Sequence, residues 1–302
     1  KAYQESIEID EKRKSCRNVA VGKGQLATVR KHQKRHGEAL ELYAEVMDIF
    51  KSLGEESSIA VSWHQIAITY QDAGQPEQAE KAYLQSLNIS TKLHNPAGEA
   101  MTLGQLGNLY KDMHRLEDAV QMYQRVAEIH VRLKDLRYEG FDRSNLADAL
   151  IQLRRYDEAR REILRAIECK SQFGVASEPW TSWAILYNLE TATGNPVAAS
   201  AARAQAIEAY AAYRAQGRES RSNWYGLIVK TYQAIQAGEE KALAEYLQST
   251  LEPGDPPTYE AFIRQLLALL QGERSAGLAE DPELYYDDAV ELRLLIEALE
   301  QG

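Results

Sequence analysis

Two histidines one helical turn apart have the spacing that most directly suggests chemistry in this chain. His32 and His36 stand at i and i+4 in the run HQKRH, which would place two imidazoles on one side of a helix, as metal binding requires. No carboxylate or cysteine completes the set nearby, and Lys34 and Arg35 would repel a cation. The run is more typical of a solvated basic turn, so we predict neither a metal site nor a cofactor.

A glycine-rich run imitates part of a dinucleotide-binding fingerprint. Gly22, Gly24 and Ala27 lie in the run GKGQLA, but such a fingerprint needs a strand before it. Here the run lies inside a helical pattern, with Ala27 at a packing position. The sequence also contains no GxxxxGK[ST] and no GxSxG motif. These observations argue against nucleotide binding and leave no recognisable catalytic motif.

A dense group of carboxylates lies near the end of the sequence. It lacks the order and the central glycine of a calcium loop, and carboxylates suit the start of a helix because the helix dipole is positive there. We expect the group to serve solubility and helix capping, with docking to a basic partner as the alternative. Its members are Glu280, Asp281, Glu283, Asp287, Asp288 and Glu291.

Composition and charge narrow the function classes. The chain has 302 residues, 44% of them hydrophobic, and a net charge of −10. Seven basic and sixteen acidic residues follow from Gly217 onward, so a near-neutral segment precedes an acidic one. This balance argues against broad nucleic-acid binding, which needs a basic surface. No apolar run approaches the ~20 residues of a membrane span, and only Cys16 and Cys169 are present, so we predict a cytoplasmic protein.

The sequence repeats itself with a period of 40 residues. Residues 61–100 and 101–140 align without a gap, and the register extends in both directions along the chain. Such a period is the signature of a stacked repeat protein. The matched pairs are Trp63 with Leu103, Ile66 with Leu106, Ala67 with Gly107, Tyr70 with Tyr110, Ala79 with Ala119, and Tyr83 with Tyr123.

Each unit is predicted to be a hairpin of two antiparallel helices. Apolar residues recur at three- and four-residue spacing in its first half, as one stripe of a helix does. The run from Asp72 to Gln75 then breaks the pattern, and Pro76 suits the first turn of a second helix because its missing N–H needs no partner there. Small residues at Ala67, Gly107 and Ala147 allow neighbouring helices to approach closely.

This pattern resembles the tetratricopeptide repeat. The unit of 40 residues exceeds the usual length of roughly 34, and the longer form resembles the arrays of kinesin light chains, spindle-orientation adaptors and bacterial STAND-type signalling proteins. The resemblance implies an all-α fold, a right-handed superhelical α-solenoid. The fifth repeat matches least well, because Tyr187 replaces the small residue and Glu190 the tyrosine, so its packing must differ.

The register predicts how the chain is divided. Residues 1–20 are the trailing helix of a truncated repeat, which leads us to expect further protein upstream. Five repeats follow at 21–60, 61–100, 101–140, 141–180 and 181–218. Prolines and a slipped spacing then mark residues 219–302 as a degenerate hairpin with an acidic helical C-terminal cap.

The resemblance also implies a binding surface, because such arrays hold partners along the concave face made by their first helices. We expect a protein or peptide ligand there, held through amides and small apolar pockets. Lys31 and Lys111 are the cations of the face, too few for a groove that selects acidic tails. The predicted partner-binding residues are Lys31, His32, His64, Ile68, Gln71, Asp72, Met101, Asn108, Lys111, Asp112, Phe141, Ser144, Asp148, Ile151, Gln152 and Asn188.

Basic residues recur in the turns between paired helices and form a second candidate surface. Stacking would align these turns along one edge, where they could bind an anion or an acidic peptide. Turns at Gly74 and Gly194 interrupt the series, and turns are commonly polar in any case. The residues of this possible basic edge are Arg35, Arg115, Arg154 and Arg155.

These observations favour a non-enzymatic protein-binding module that contacts neither nucleic acid nor membrane. We interpret it as the sensor or partner-docking array of a larger signalling protein. The alternative is a free-standing scaffold that joins several partners. A third hypothesis is an enzyme with a site around Tyr285, Tyr286, Asp287 and Asp288, although no nucleophile–base pair supports it.

Overall fold

The computed structural model describes residues 2–301, and the secondary structure of that part is entirely helical. Its contacts separate the chain into two units, Lys1–Cys169 and Lys170–Gly302. Lys1 and Gly302, which belong to the predicted terminal segments, lie outside the described residues. The fold class is all-α, as the sequence predicted.

The first unit is a succession of helix hairpins. Helix α2 packs on α3, α4 on α5 and α6 on α7, and each hairpin packs on the next through α3 with α4, α5 with α6, and α7 with α8. The helices are α1 (Ala2–Lys12), α2 (Cys16–His32), α3 (His36–Leu53), α4 (Glu56–Asp72), α5 (Pro76–Lys92), α6 (Pro96–Asp112), α7 (Leu116–Leu133), α8 (Leu136–Gln152) and α9 (Tyr156–Ser171), whose last two residues belong to the second unit.

A left-handed backbone residue follows the helices of this unit at every twentieth position. The amide beyond that residue bonds back five positions, as Arg35 N–H does to the Arg30 carbonyl at 2.9 Å, which is the Schellman way of ending a helix. Positions without glycine carry a basic side chain, which suits the negative end of the helix dipole. The series is Lys14, Lys34, Gly54, Gly74, His94, His114, Lys134 and Arg154.

The first helix of each hairpin starts earlier than the predicted repeat boundaries. Helices α2, α4, α6 and α8 begin at positions 16, 56, 96 and 136, so the boundaries at 21, 61, 101 and 141 fall inside them. Asn95 and Asp135 cap two of these helices, accepting bonds from the Gly98 and Tyr138 amides, both at 3.1 Å. Sequence alignment establishes the register of a repeat, whereas these caps determine where its helices begin.

The core of the first unit is built from a repeated pair of residues. Tyr83 and Tyr123 of the second helices are fully buried, and Ala67 and Gly107 are the buried small residues at the matching positions of the first helices. An alanine Cβ at Gly107 would lie 2.5 Å from the Tyr123 ring. Side chains are therefore packed to contact here, as in other protein interiors.

The second unit places a hairpin against a small helical bundle. Trp180 packs among Tyr210, Tyr213 and Val290 in one core, and α15 packs on α11 and α12. The segment at 271–285, before the last helix, contains a short 3-10 turn, Ala276–Glu280. The helices are α10 (Pro179–Ala192), α11 (Pro196–Arg214), α12 (Tyr225–Ala237), α13 (Glu240–Ser249), α14 (Pro257–Leu270) and α15 (Tyr286–Gln301), with a further 3-10 turn at Gly174–Ser177.

The predicted boundary at residue 218 lies inside the second unit, so the repeat predicted at 181–218 shares a unit with the C-terminal helices. Within residues 2–301, none of the helices combines the length and apolarity that a membrane crossing requires.

Candidate functional site

The first helices of the hairpins present a row of side-chain amides at one register position. We call the accessible surface of α2, α4, α6 and α8 the first-helix face. The row is exposed at α2 and half-buried on the other three helices. Within the described part of the chain, none of these amide groups has a hydrogen-bond partner. They are therefore free to bind another molecule. The four residues are Gln25, Gln65, Gln105 and Asn145.

An apolar row lies one helical turn before the amides. Val21, Val61 and Met101 expose 41%, 52% and 45% of their surface, and Phe141 is half-buried. A cleft of about 410 Å³ opens between α2, α3 and α4, with Val21 and Val61 among its lining residues. The cleft exists because Gly24 has no side chain at the position that His64 fills in the next repeat. Apolar pockets beside unpaired polar groups are typical of ligand sites.

The structure leaves most of the predicted partner-binding residues accessible but buries three of them. Lys31, His64 and Ser144 expose 9%, 3% and 4% of their surface, so we remove His64 and Ser144 from the list of direct contacts. Lys31 has no carboxylate within ion-pair distance among the described residues, and its ammonium remains available. Asn188 is exposed on α10, in the second unit. The other accessible residues are His32, Ile68, Gln71, Asp72, Met101, Asn108, Lys111, Asp112, Phe141, Asp148, Ile151 and Gln152.

His64 is a packing residue. Its ring meets the edge of Tyr83 at 5.4 Å between centroids, and its Nδ1 lies 3.4 Å from the Thr102 hydroxyl. Burial, together with the charge of Lys31, lowers the pKa of His64 to about 4. The imidazole is therefore neutral at physiological pH and joins two adjacent repeats.

Several of the other predicted residues are held by one another across repeats. Gln71 donates to Asp112 at 3.4 Å, and Lys111 donates to Asp148 at 3.2 Å. Gln152 donates to the same Asp148 oxygen at 3.2 Å. These bonds restrict the side chains of the first-helix face, which lowers the entropy that a partner would have to remove on binding.

The basic edge is largely neutralised within the chain. Arg35 pairs with Glu38 at 2.5 Å, and Arg115 with Glu80 and Asp118 at 3.0 and 2.7 Å.

Arg155 completes this pattern, since it pairs with Glu117 and Glu158 at 3.0 and 2.7 Å. Arg154 is one of the left-handed residues that end the helices. Helix termination and ion pairing thus account locally for these cations, and an anion-binding edge remains an untested prediction.

Half of the acidic cluster is buried, which removes it from any docking surface. Glu291 is 1% exposed and pairs with Arg214 at 2.8 Å. Asp288 is 4% exposed and accepts the Ser222 hydroxyl at 2.6 Å. Burial raises the pKa of Asp288 to about 7 and that of Asp287 to about 6, with the neighbouring carboxylates adding to the shifts. These groups are structural parts of the second unit.

Metal binding finds no support in the geometry. Over residues 2–301, no group of three or more His, Cys, Asp or Glu side chains is arranged to hold an ion. His32 is exposed and His36 is half-buried, at the two sides of the turn between α2 and α3.

Sequence reasoning missed the amide row itself. The predicted residues His64 and Ser144 lie one position before the amides Gln65 and Asn145. A recurring amide at positions 25, 65, 105 and 145 was the available signal, and only burial distinguishes the two adjacent stripes.

A family model for the tetratricopeptide repeat matches residues 18–92, 58–130 and 98–172, together about half of the chain. A search of curated protein sequences found no match. Among solved structures, BtubC (BKLC) from P. vanneervenii is similar with a TM-score of 0.64 and 18% identity, over 74% of this chain and 92% of that one.

Two further structures share the fold. A set of nearly identical kinesin light chain TPR-like repeats from Podosopora anserina has a TM-score of 0.50 and 22% identity, over 64% of this chain and 94% of that one. Aspartyl phosphate phosphatase F from Bacillus subtilis has a TM-score of 0.58 and 13% identity, over 98% of this chain and 74% of that one. At these identities the likeness concerns the fold.

Proposed function

Because the chain belongs to the tetratricopeptide repeat family, we propose that it is a protein-binding module whose first-helix face holds a segment of a partner protein. The row of four unpaired amides carries this proposal. Repeats of this family support protein–protein interaction in general, and the amides supply the groups for it here. Each can donate to and accept from a peptide backbone or a polar side chain.

The spacing of the helices supports this choice of face. Helix α2 packs on α4 and α4 on α6, whereas α6 and α8, like the second helices of neighbouring hairpins, approach one another less closely. A stack of hairpins bends toward the layer whose helices are closer together. We therefore infer that α2, α4 and α6 lie on the inner side of the first unit, where a partner would gain contacts from several repeats at once.

The partner segment that best suits this face has both polar and apolar groups. Amides can bind its backbone, while the cleft beside Val21 and Val61 has room for an apolar side chain. Lys31 adds one unpaired cation, whereas Lys111 is already paired with Asp148. We infer an extended or helical segment that carries little net charge.

Loss of amides should weaken partner binding without unfolding the chain. We expect Gln65→Ala with Gln105→Ala to reduce the affinity of peptides selected from a displayed random library on the intact chain about tenfold or more, since each net hydrogen bond contributes about 1 kcal/mol. Fluorescence anisotropy of the labelled peptides measures the change.

Matched controls exist on the second helices. Gln85→Ala and Gln124→Ala remove exposed amides from the opposite side of the hairpins and should leave peptide affinity within twofold. Lys111→Glu with Phe141→Ala should also weaken binding while the chain stays folded, although loss of the Lys111–Asp148 pair should lower the melting temperature slightly. Equal peptide affinity in the Gln65→Ala, Gln105→Ala double variant and in the second-helix controls would place the partner elsewhere.

We further propose that this module is the sensor or partner-docking array of a larger signalling protein, with a free-standing multi-partner scaffold as the alternative. The two differ in what the gene encodes upstream of this segment. An NTPase or effector domain would support the first, and a capping helix alone would support the second.

A further inference from the structure

A cleft of about 340 Å³ in the second unit contains a cation that the fold does not neutralise. Arg203 lines this cleft together with Tyr187 and Ser200, and its apolar walls include Pro196, Ala199 and Pro282. All of these residues lie within the second unit, whereas the first-helix face belongs to the first unit. The site therefore shares no residue with the proposed partner surface.

The repeat register explains why the cleft arises here. Arg203 stands 80 positions after Tyr123, at a register position where the first three repeats bury a tyrosine and the fourth buries Ile163, and Tyr187 stands 80 positions after Gly107. In this repeat Tyr187 and Arg203 thus take the places of the small residue and the tyrosine that the first three repeats have. Since the guanidinium cannot fill the core as a phenol ring does, it turns toward the cleft and the segment before α15.

The hydrogen bonds of Arg203 satisfy its donors only in part. Nη2 donates to the carbonyls of Asp281 at 2.8 Å and Leu284 at 3.0 Å, and Nε donates to Leu284 at 3.3 Å. Among the described residues, Nη1 has no partner and no carboxylate lies within ion-pair distance. Nη1 is not sealed off from solvent.

Carbonyl oxygens hold the guanidinium in place but carry no net charge. Burial lowers the pKa of Arg203, against the opposing influence of Tyr187 and Asp281. A half-buried cation without an anion is costly in a protein interior. A bound anion would remove this cost and complete the donor set at Nη1.

We propose that this cleft binds a carboxylate carried on a small apolar body, such as the C-terminal end of a peptide. Arg203 is the single cation of the lining, and one positive charge matches a carboxylate better than a doubly charged phosphate. The rings of Pro196, Pro282 and Tyr187 offer an apolar surface for a hydrocarbon group. The volume suits one or two amino-acid residues.

The test titrates the full chain with N-acetyl-leucine at low ionic strength, where charge pairing is least screened. N-acetyl-leucine amide and inorganic phosphate serve as comparison probes. We expect N-acetyl-leucine to bind at least tenfold more tightly than its amide, by calorimetry and by NMR shifts of the Arg203 side chain. Equal affinity for acid and amide would overturn the proposal, as would tighter binding of phosphate.

A variant that keeps Arg203 makes the test specific. Ser200 is exposed on the same side of α11, one turn before Arg203, so Ser200→Glu should supply an internal carboxylate at i,i+3 spacing. We expect it to weaken N-acetyl-leucine binding at least tenfold and to raise the melting temperature. Ser200→Gln, which has the same size without the charge, should keep the affinity within threefold. If Ser200→Glu leaves binding intact, the ligand does not reach Arg203.

Discussion

Replacing Asp288 by asparagine is expected to stabilise the protein at pH 8. Burial raises the pKa of this carboxyl from its usual 3.8 to about 7, so at pH 8 the folded chain holds a buried negative charge beside Asp287 and Glu291. Asparagine keeps the oxygen that accepts from Ser222 and removes the charge. Since each tenfold change in the acid dissociation constant is worth about 1.4 kcal/mol, this rise in pKa corresponds to a gain on the order of 4 kcal/mol.

The sign of the pH dependence follows from the raised pKa. As the pH rises from about 4 to about 7, the unfolded chain releases this proton before the folded chain does, so Asp288 lowers stability over that interval. Thermal unfolding should therefore show the advantage of Asp288→Asn at pH 8 and lose it near pH 4.

Asp281 is the matched control, because its environment has the opposite effect. Burial alone would raise its pKa, but the Glu283 amide, Arg264 and Gln265 hold it below the usual value. Asp281→Asn should therefore lower the melting temperature at pH 8. If both variants changed stability in the same direction, charge burial would not be the cause.

Replacing Gly107 by valine is expected to destabilise the first unit by about 3 kcal/mol, at the upper end of typical overpacking effects. A Cβ at this position would stand 2.5 Å from the Tyr123 ring. The ring is fully buried, and its hydroxyl donates to Asn108 at 2.6 Å, so it cannot move away freely. Urea unfolding followed by circular dichroism measures the loss.

Gly104 offers the comparison on the same helix. A Cβ there meets nothing within 4 Å, so Gly104→Val should change stability by less than about 1 kcal/mol. Combining Gly107→Val with Tyr123→Leu should recover more than half of the loss. Equal losses at the two glycines would mean that backbone propensity, rather than ring contact, determines the effect.

The helices and their register were predictable because each repeat carries the same apolar stripe, and the core tyrosines lie where the alignment put them. The sequence did not predict which residues of the first helices face outward. Gln65 and His64 are adjacent and both avoid the stripe defined by Ile66 and Tyr70. Burial of His64 depends on Thr102 of the next repeat, a contact that no local pattern reveals.

The acidic cluster illustrates a second limit. Its sequence indicates a solvated surface, because carboxylates are rarely buried without a partner. The partners of Glu291 and Asp288 are Arg214 and Ser222, 77 and 66 positions away. Only the packing of α15 on α11 and α12 brings them together. Contacts at such separations cannot be inferred from spacing within a motif.

The left-handed residue at every twentieth position makes the single helix, rather than the hairpin, the smallest repeating unit of the backbone. Gly194 continues this series between α10 and α11. The left-handed turn is therefore kept even where Tyr187 and Arg203 have replaced the small residue and the tyrosine of the core. This turn is held by backbone hydrogen bonds within six residues, so it tolerates a change in the core side chains. One repeat of such an array can therefore exchange its core residues and gain a binding site, while the adjacent helices keep their geometry.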